Sequence, residues 1–265
     1  NGVTFIKQNT GKLTVNGSFV TDTLRMEGGT LTLNGDGSSF NHVVLAGTAE
    51  GVVLDVNRNT VMGDLTDSGE GADLNIGSGA TLTINDASSL SASTIQGSGT
   101  LALHDTLALS GTASLQGGVL LDLVKNGDST GTLDLGSTTG NTVAGISGQG
   151  TLKSNGGALA VNTGNSGSGS VFSGTLEGRG QLNISGNAGQ TLENVITAAG
   201  SNWAINNTGR LNIKMGGTVE DPRANTALTL SSLTLGDGSS TNLTFNTDYA
   251  GPIISVTGNI SISQG

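Results

Sequence analysis

Short bursts of strict apolar–polar alternation run through this chain, each set between glycines. Leu-Thr-Leu stands in "GGTLTLNGDG" from Gly28. The phrase returns as "GKLTVNG" at Gly11, "GADLNIG" at Gly71, "GTLALHD" at Gly99, "GTLDLG" at Gly131, "GQLNIS" at Gly180, "GRLNIK" at Gly209 and "GNISIS" at Gly258. A period of two is the pattern of a strand with one buried face, and it occurs about sixteen times between Leu13/Val15 and Ile260/Ile262. The residues between the apolar pairs, such as Thr14, Thr32, Asp55, Asn75, Asp134 and Asn183, are short and polar, as an outward face requires. No window carries apolar residues at i, i+3, i+4 and i+7 over successive turns, so long helices are not expected.

The phrases begin near residues 11, 29, 51, 71, 99, 118, 131, 150, 180, 209 and 226, at intervals clustering near 20 with one or two near 30. A period of this size marks a repeat architecture. Asn-Gly pairs at Asn1, Asn16, Asn34, Asn126 and Asn155 would also suit hairpins. A meander, however, would pair strands in twos, whereas here each phrase reads as one edge of a coil returning in register above itself. Leucine over leucine then builds an interior column, and threonine, asparagine and serine stack outside along the ladder. The expected fold is all-β: a right-handed parallel β-helix of about a dozen coils, the handedness following from parallel crossover connections. Residues 1–265 are expected to form a single β-helical unit, with a projecting loop around 214–226 where "KMGGTVEDPRANTA" carries Pro222 and loses the alternation.

Composition fits a solenoid better than a compact core. The chain has 45 glycines, 2 prolines and 3% aromatic residues, so its interior must be aliphatic and spread thinly along stacked units. A net charge of −10 with 10 Lys and Arg argues against nucleic acid and anionic membrane surfaces. No apolar run approaches the roughly 20 residues of a membrane-spanning helix. The absence of cysteine excludes disulfides and thiolate metal sites, and suits export through an oxidising compartment.

Gly-x-Gly-x-Leu stands in "GSGTL" at Gly97, "GQGTL" at Gly148 and "GRGQL" at Gly178. With the surrounding "VFSGTLEGRGQLNISGNAG", this style of repeat resembles the strand-rich repeats of bacterial autotransporter passenger domains. The resemblance covers most of the chain and lies in repeat style rather than in a unique motif. It implies a β-helix displayed at the cell surface or released, exported across the outer membrane of a Gram-negative bacterium through a C-terminal barrel. This chain has none of the aromatic-girdled strands of such a barrel. Its C-terminal "GNISISQG" stops in mid-pattern, and the chain is expected to be a fragment of a longer protein.

The candidate chemistry is sparse. "GDSTG" at Gly127 has the Gly-x-Ser-x-Gly form of a nucleophile elbow but is followed by a strand pattern, where that chemistry needs a helix and a positioned histidine. "TDSG" places Asp67 in the Asp-Ser-Gly setting of an aspartic protease, which needs a second such carboxylate; no second copy of the phrase exists here. Asp64, Asp67, Glu70 and Asp73 gather within "DLTDSGEGAD" as hard oxygen ligands for calcium, the one cofactor considered, although their spacing fits neither the EF-hand loop nor the tandem Gly-Gly-x-Gly-x-Asp nonapeptide. A solvated acidic corner is the competing reading. His42 and His104, the only histidines, would both be needed for a three-ligand zinc site. Trp203 and Tyr249, rare aromatics here, would stack on a sugar if exposed, or fill a coil if buried.

The reading favours a structural and interaction module over an enzyme. It adheres or self-associates through a polar flank, with a host or bacterial surface glycan or protein, or a second copy, as partner. The alternative is a β-helical hydrolase acting on polysaccharide or mucin-like glycoprotein, or an aspartic-type protease using Asp67. Scarce, scattered basic residues count against a polysaccharide lyase.

Overall fold

The computed structural model describes residues 2–47, 51–164, 169–215, 228–236, 239–245 and 254–262. All regular structure among them is β, stacked as a parallel solenoid of about ten turns. The alternation read from the sequence becomes three faces that the chain visits in a fixed cycle.

The first face begins with strands Lys12–Val15, Gly29–Leu33, Val52–Val56, Asp73–Ile76, Thr94–Gly97 and Ser114–Leu115, each parallel to the last. It continues through Asn141–Val143 into the second halves of Thr151–Asn162 and Thr175–Ser185, then Asn202–Asn207, Ser232–Leu235 and Ile260–Ile262. The second face starts in the first halves of Val20–Met26, Ser38–Gly47 and Thr60–Gly69. It runs on through Thr81–Ile84, Thr100–Leu103, Leu120–Leu123, Gly145–Gly148, Ser170–Phe172, Gln190–Glu193, Arg210–Met215 and Ser240–Phe245. The third face holds Thr4–Lys7, the second halves of those three long early strands, Ser88–Leu90, Thr106–Leu109, Thr132–Asp134 and the first halves of Thr151–Asn162 and Thr175–Ser185.

Register puts like on like. Leu31, Leu54, Leu74 and Ile95 form one inward column on the first face. Leu107, Leu133, Leu152 and Leu176 form another on the third, and all eight are fully buried. Each such leucine contributes about 1.5–3 kcal/mol relative to exposure, so the thin core is sufficient because it is continuous. Aromatics occupy special places. Phe5, Phe19 and Phe40 stack edge to face at 5.0 and 5.5 Å near the N-terminal end. Phe172 and Trp203 are fully buried in the later coils.

Corners break the ladder, and buried polar side chains repair it. Ser88 Oγ accepts the Leu65 N–H at 2.9 Å, Ser93 Oγ accepts the Ala72 N–H at 3.0 Å, and Asn141 Oδ1 accepts the Leu115 N–H at 3.0 Å. The largest repair is Gln190. Between Gly145–Gly148 and Ser170–Phe172 the backbone register is reduced to Gly148↔Phe172. The fully buried Gln190 reaches across that gap: its Oε1 accepts the Ile146 N–H at 3.0 Å and its Nε2 donates to the Ile146 carbonyl at 2.9 Å. The amide thus makes both bonds that a strand residue would have made. No buried side-chain polar atom among the described residues lacks a partner, as a native interior demands.

Among the described residues a short antiparallel hairpin leaves the solenoid. Lys125–Asn126 pairs antiparallel with Ser129–Thr130, and Gly127 takes the positive φ of 61° that the turn requires. Of the five Asn-Gly pairs this one makes a hairpin. The loop expected around 214–226 lies, from residue 216 onward, outside the described residues.

Candidate functional site

Asp67 is placed by register in line with the inward Leu45, yet its carboxylate turns to the corner of the next coil. Oδ1 accepts the Ser91 N–H at 2.8 Å and the Ser91 hydroxyl at 2.9 Å; Oδ2 accepts the Ala92 N–H at 2.8 Å and the Ser93 N–H at 2.7 Å. Partial burial pushes its pKa up, but the hydrogen bonds from Ala92, Ser91 and Ser93 outweigh that and hold the carboxyl below its ordinary value. A protease carboxylate shares a proton with a second acid. This one is ionised and fully engaged in closing a turn, so the aspartic-protease reading finds no support in its geometry.

The acidic stretch does not converge either. Asp64 accepts or shares a proton with His42 Nδ1 at 2.7 Å, Asp67 faces the corner just described, and Glu70 and Asp73 are exposed. Among the described residues no three His, Cys, Asp or Glu side chains are placed to hold a metal. The four acids therefore do not offer calcium a cage, nor do His42 and His104 build a zinc site. The His42–Asp64 pair sits on an outward corner. The Asp64 hydrogen bond and charge, with Asp22 and Asp86 nearby, raise the His42 pKa above its ordinary value.

Ser129 of "GDSTG" lies exposed in the projecting hairpin, a strand–turn–strand in place of the strand–turn–helix of a nucleophile elbow. Trp203 offers no stacking surface: it is fully buried, and its indole N–H donates to the Glu177 carbonyl at 3.2 Å. Its register partner is Gly180, where a Cβ would come within 2.7 Å of the ring. The coil-filling reading of this residue is the one its burial fits. Tyr249 lies outside the described residues.

The structure does assemble the outward columns. On the first face Thr14, Thr32, Asp55, Asn75 and Gln96 stand in register. Thr32 donates to Asp55 at 3.0 Å and Asn75 donates to the other Asp55 oxygen at 2.8 Å. At the neighbouring corner Asn57 donates to Asn34 at 2.9 Å and Asn34 to Asn16 at 3.1 Å. Later coils repeat the device, with Asn206 donating to Asn183 at 2.9 Å and Asn242 to Asn212 at 3.0 Å. On the third face Lys153 lies 3.7 Å from Asp134 and 3.5 Å from Glu177. An amide at the end of a ladder spends one donor or acceptor on its neighbour, and an internal one such as Asn34 spends one of each, out of two donors and two lone pairs. The arrangement can orient hydrogen-bonding groups in rows about 4.8 Å apart. No family model, curated protein or solved structure matches this chain.

Proposed function

We propose that this chain is the adhesive β-helical portion of a surface-displayed bacterial protein, of the autotransporter-passenger type that its repeats resemble. It binds a surface glycan or protein, or a second copy of itself, through its polar flank. The observation that carries this reading is the in-register ladder of Thr, Asn and Asp side chains on the outward columns. Their mutual hydrogen bonds fix the side chains before a partner arrives, which lowers the ordering cost of binding. The net charge of −10 keeps copies apart at low ionic strength, and screening by salt, which shortens the Debye length from about 30 Å at 0.01 M to about 8 Å at 0.15 M, favours lateral pairing.

The test has two arms. A glycan and extracellular-matrix array probed with the chain should show saturable binding that Asn183→Ala/Asn206→Ala weakens, without turnover of polysaccharide or mucin. Sedimentation velocity at both ionic strengths should show lateral dimers strengthening with salt. Absence of array binding together with a monomer under every condition would defeat the proposal. Substrate turnover abolished by one carboxylate substitution would replace it with a hydrolase.

A further inference from the structure

The four Asn-Gly pairs whose asparagine is described, at Asn16, Asn34, Asn126 and Asn155, are held in different ways. Asn16 and Asn34 stand on adjacent coils: Asn34 donates to Asn16 Oδ1 at 3.1 Å and accepts from Asn57 at 2.9 Å. Gly35 packs so closely on the preceding coil that an added Cβ would run into the Gly17 backbone. Asn155 lies inside the strand Thr151–Asn162, which is paired to coils on both sides. Its N–H donates to the Gly136 carbonyl at 2.6 Å, the Gly157 N–H donates to the same carbonyl at 3.2 Å, and its Oδ1 accepts from Arg179 at 3.3 Å. Asn126 differs from all three. Its hairpin pairs only with itself, through Lys125↔Thr130 and Asn126↔Ser129, and among the described residues shares no ladder with a neighbouring coil. Residues 125–129 are exposed, and a Cβ on Gly127 would meet no described atom within 4 Å. Gly127 has φ of 61° while Asp128 is outside the left-handed region, the pattern of a type II′ turn. In such a turn the N–H of the first loop residue points out of the ladder.

The chemistry available there is intramolecular. The Gly127 nitrogen follows Asn126 directly, and its attack on Asn126 Cγ closes a succinimide ring with no side chain on the glycine to obstruct it. Base removes the Gly127 N–H proton, the N–Cγ bond forms, the Cγ–Nδ2 bond breaks, and ammonia leaves with a proton from water. Water then opens the ring. Cleavage of the N–Cγ bond leaves an aspartate in the ordinary backbone; cleavage between that nitrogen and the backbone carbonyl carbon leaves an isoaspartate, with the chain running through Cγ. One water is consumed and one ammonia released. Ring closure requires the asparagine backbone to leave its extended conformation, so the rate follows the cost of local opening. A self-paired hairpin on the surface opens by itself, whereas a strand laddered to coils on both sides must break those ladders. We infer that Asn126–Gly127 is a self-modification site, at which the chain converts residue 126 to aspartate and isoaspartate well before the pairs stacked in the solenoid react. Conversion adds a negative charge beside Asp128 to a chain already at −10. The β-linked product also inserts one backbone atom into a ladder of only two residue pairs. The inference stands apart from the adhesion reading, because no residue of the outward Asn, Thr and Asp ladders takes part in it.

The test follows residues 16, 34, 126 and 155 together, by peptide mapping and mass spectrometry of the chain aged in mildly alkaline buffer. A parallel sample is aged in urea, where the fold no longer distinguishes the pairs, and each folded-state rate is divided by the rate of the same residue in urea. Labelling by isoaspartyl methyltransferase supplies a second readout for the β-linked product. On that normalised scale residue 126 should convert at least about tenfold faster than the other three, the ratio given by about 1.4 kcal/mol of difference in activation free energy. Asn126→Gln, an exposed change that enlarges the ring to be closed, should remove most of the methyltransferase label from the aged folded chain. The wild-type ranking decides the matter without any variant should that chain fail to fold. Residue 126 slowed by folding as much as residues 16, 34 and 155 would overturn the proposal. So would any of those three converting as fast as residue 126, or a label undiminished in a folded Asn126→Gln chain.

Discussion

The corner between the third and first faces is built in two ways along the same rod. In the early coils it is a tight turn plugged by a charge. Lys7, only 8% exposed, donates from Nζ to the carbonyls of Gln8, Asn9 and Gly28 at 2.8, 3.0 and 3.0 Å. Asp67 does the converse, gathering the N–H groups of Ser91, Ala92 and Ser93. In two later coils no turn interrupts the chain: Thr151–Asn162 and Thr175–Ser185 run through the corner as single strands, with a register shift between Asn155 and Ala158, before a turn returns between Ile196–Thr197 and Asn202–Asn207. There Gly180 leaves a space and the Trp203 ring fills it. A tight turn orphans several backbone groups at once, which a charged side chain can gather; a continuous strand leaves fewer, here the Gly157 N–H taken by Ser154 Oγ at 2.8 Å and the Gly178 N–H taken by Ser201 Oγ at 2.9 Å, and leaves volume to be filled. The early turns at Lys7 and Asp67 are therefore held by ionic hydrogen bonds, and the corner at Gly180 by the packing of Trp203.

The largest effect expected from breaking this contrast is at Trp203. Trp203→Ala should cost about 3–5 kcal/mol, measured by urea unfolding, with the loss independent of pH and of salt. A strongly salt-dependent loss would mean that the late corner is not held by packing. Gln190→Leu, at the neutral repair of the second face, should cost about 2–4 kcal/mol because it leaves both the N–H and the carbonyl of Ile146 buried without partners. A cost near zero would show that the gap it spans is already wet.

Asp67→Asn should cost about 1.5–3 kcal/mol at neutral pH, the worth of hydrogen bonds to a charged group. The direction with pH follows from the depressed pKa. The contribution of Asp67 is present above the unfolded value of about 3.9 and is lost as pH falls through the lower folded value. Acid should therefore weaken the wild type toward the variant, and the two unfolding curves should converge at low pH; parallel curves would contradict the role given to the carboxylate.

His42 offers a local check on outward electrostatics. Its pKa, followed by its ring resonances, should lie above the ordinary value and return toward about 6.5 in Asp64→Asn. Any stability it lends is present below that ordinary value and is lost as pH rises through the raised one. The smallest effect belongs to the exposed ladder: Asp134→Asn beside Lys153 should change stability by no more than about 0.5 kcal/mol, while its buried neighbour Leu133→Ala costs about 2–5 kcal/mol. Similar costs at the two positions would mean that the faces are assigned the wrong way round.

The parallel solenoid was legible because the Leu-x-Leu phrases carry both the strand period and the coil period. Leu133 and Asp134 could be assigned to opposite faces from alternation alone. The corners were not legible in the same way. Asp67 reads as a solvated acid or a protease carboxylate in "TDSG", since the Ser91–Ser93 turn that it holds lies one coil further on. Gln190 carries no local signal at all: its partner Ile146 is two coils back, and only the coordinates bring the amide to the gap. Trp203 stood out by rarity, and the glycine opposite it, Gly180, was the unread clue to its burial.

The most direct test of a corner closed by charge at Asp67 and by packing at Trp203 is amide hydrogen exchange, residue by residue, at neutral pH and below the carboxylate range. Protection factors corrected for intrinsic rates should fall on acidification for Ser91, Ala92 and Ser93. The Trp203 indole N–H and the Gly157 amide, which is held by Ser154 Oγ at 2.8 Å, should keep theirs. Asp67→Asn should reproduce the early loss at neutral pH. Loss of protection at both corners together, or an early corner that stays closed in acid, would contradict the account.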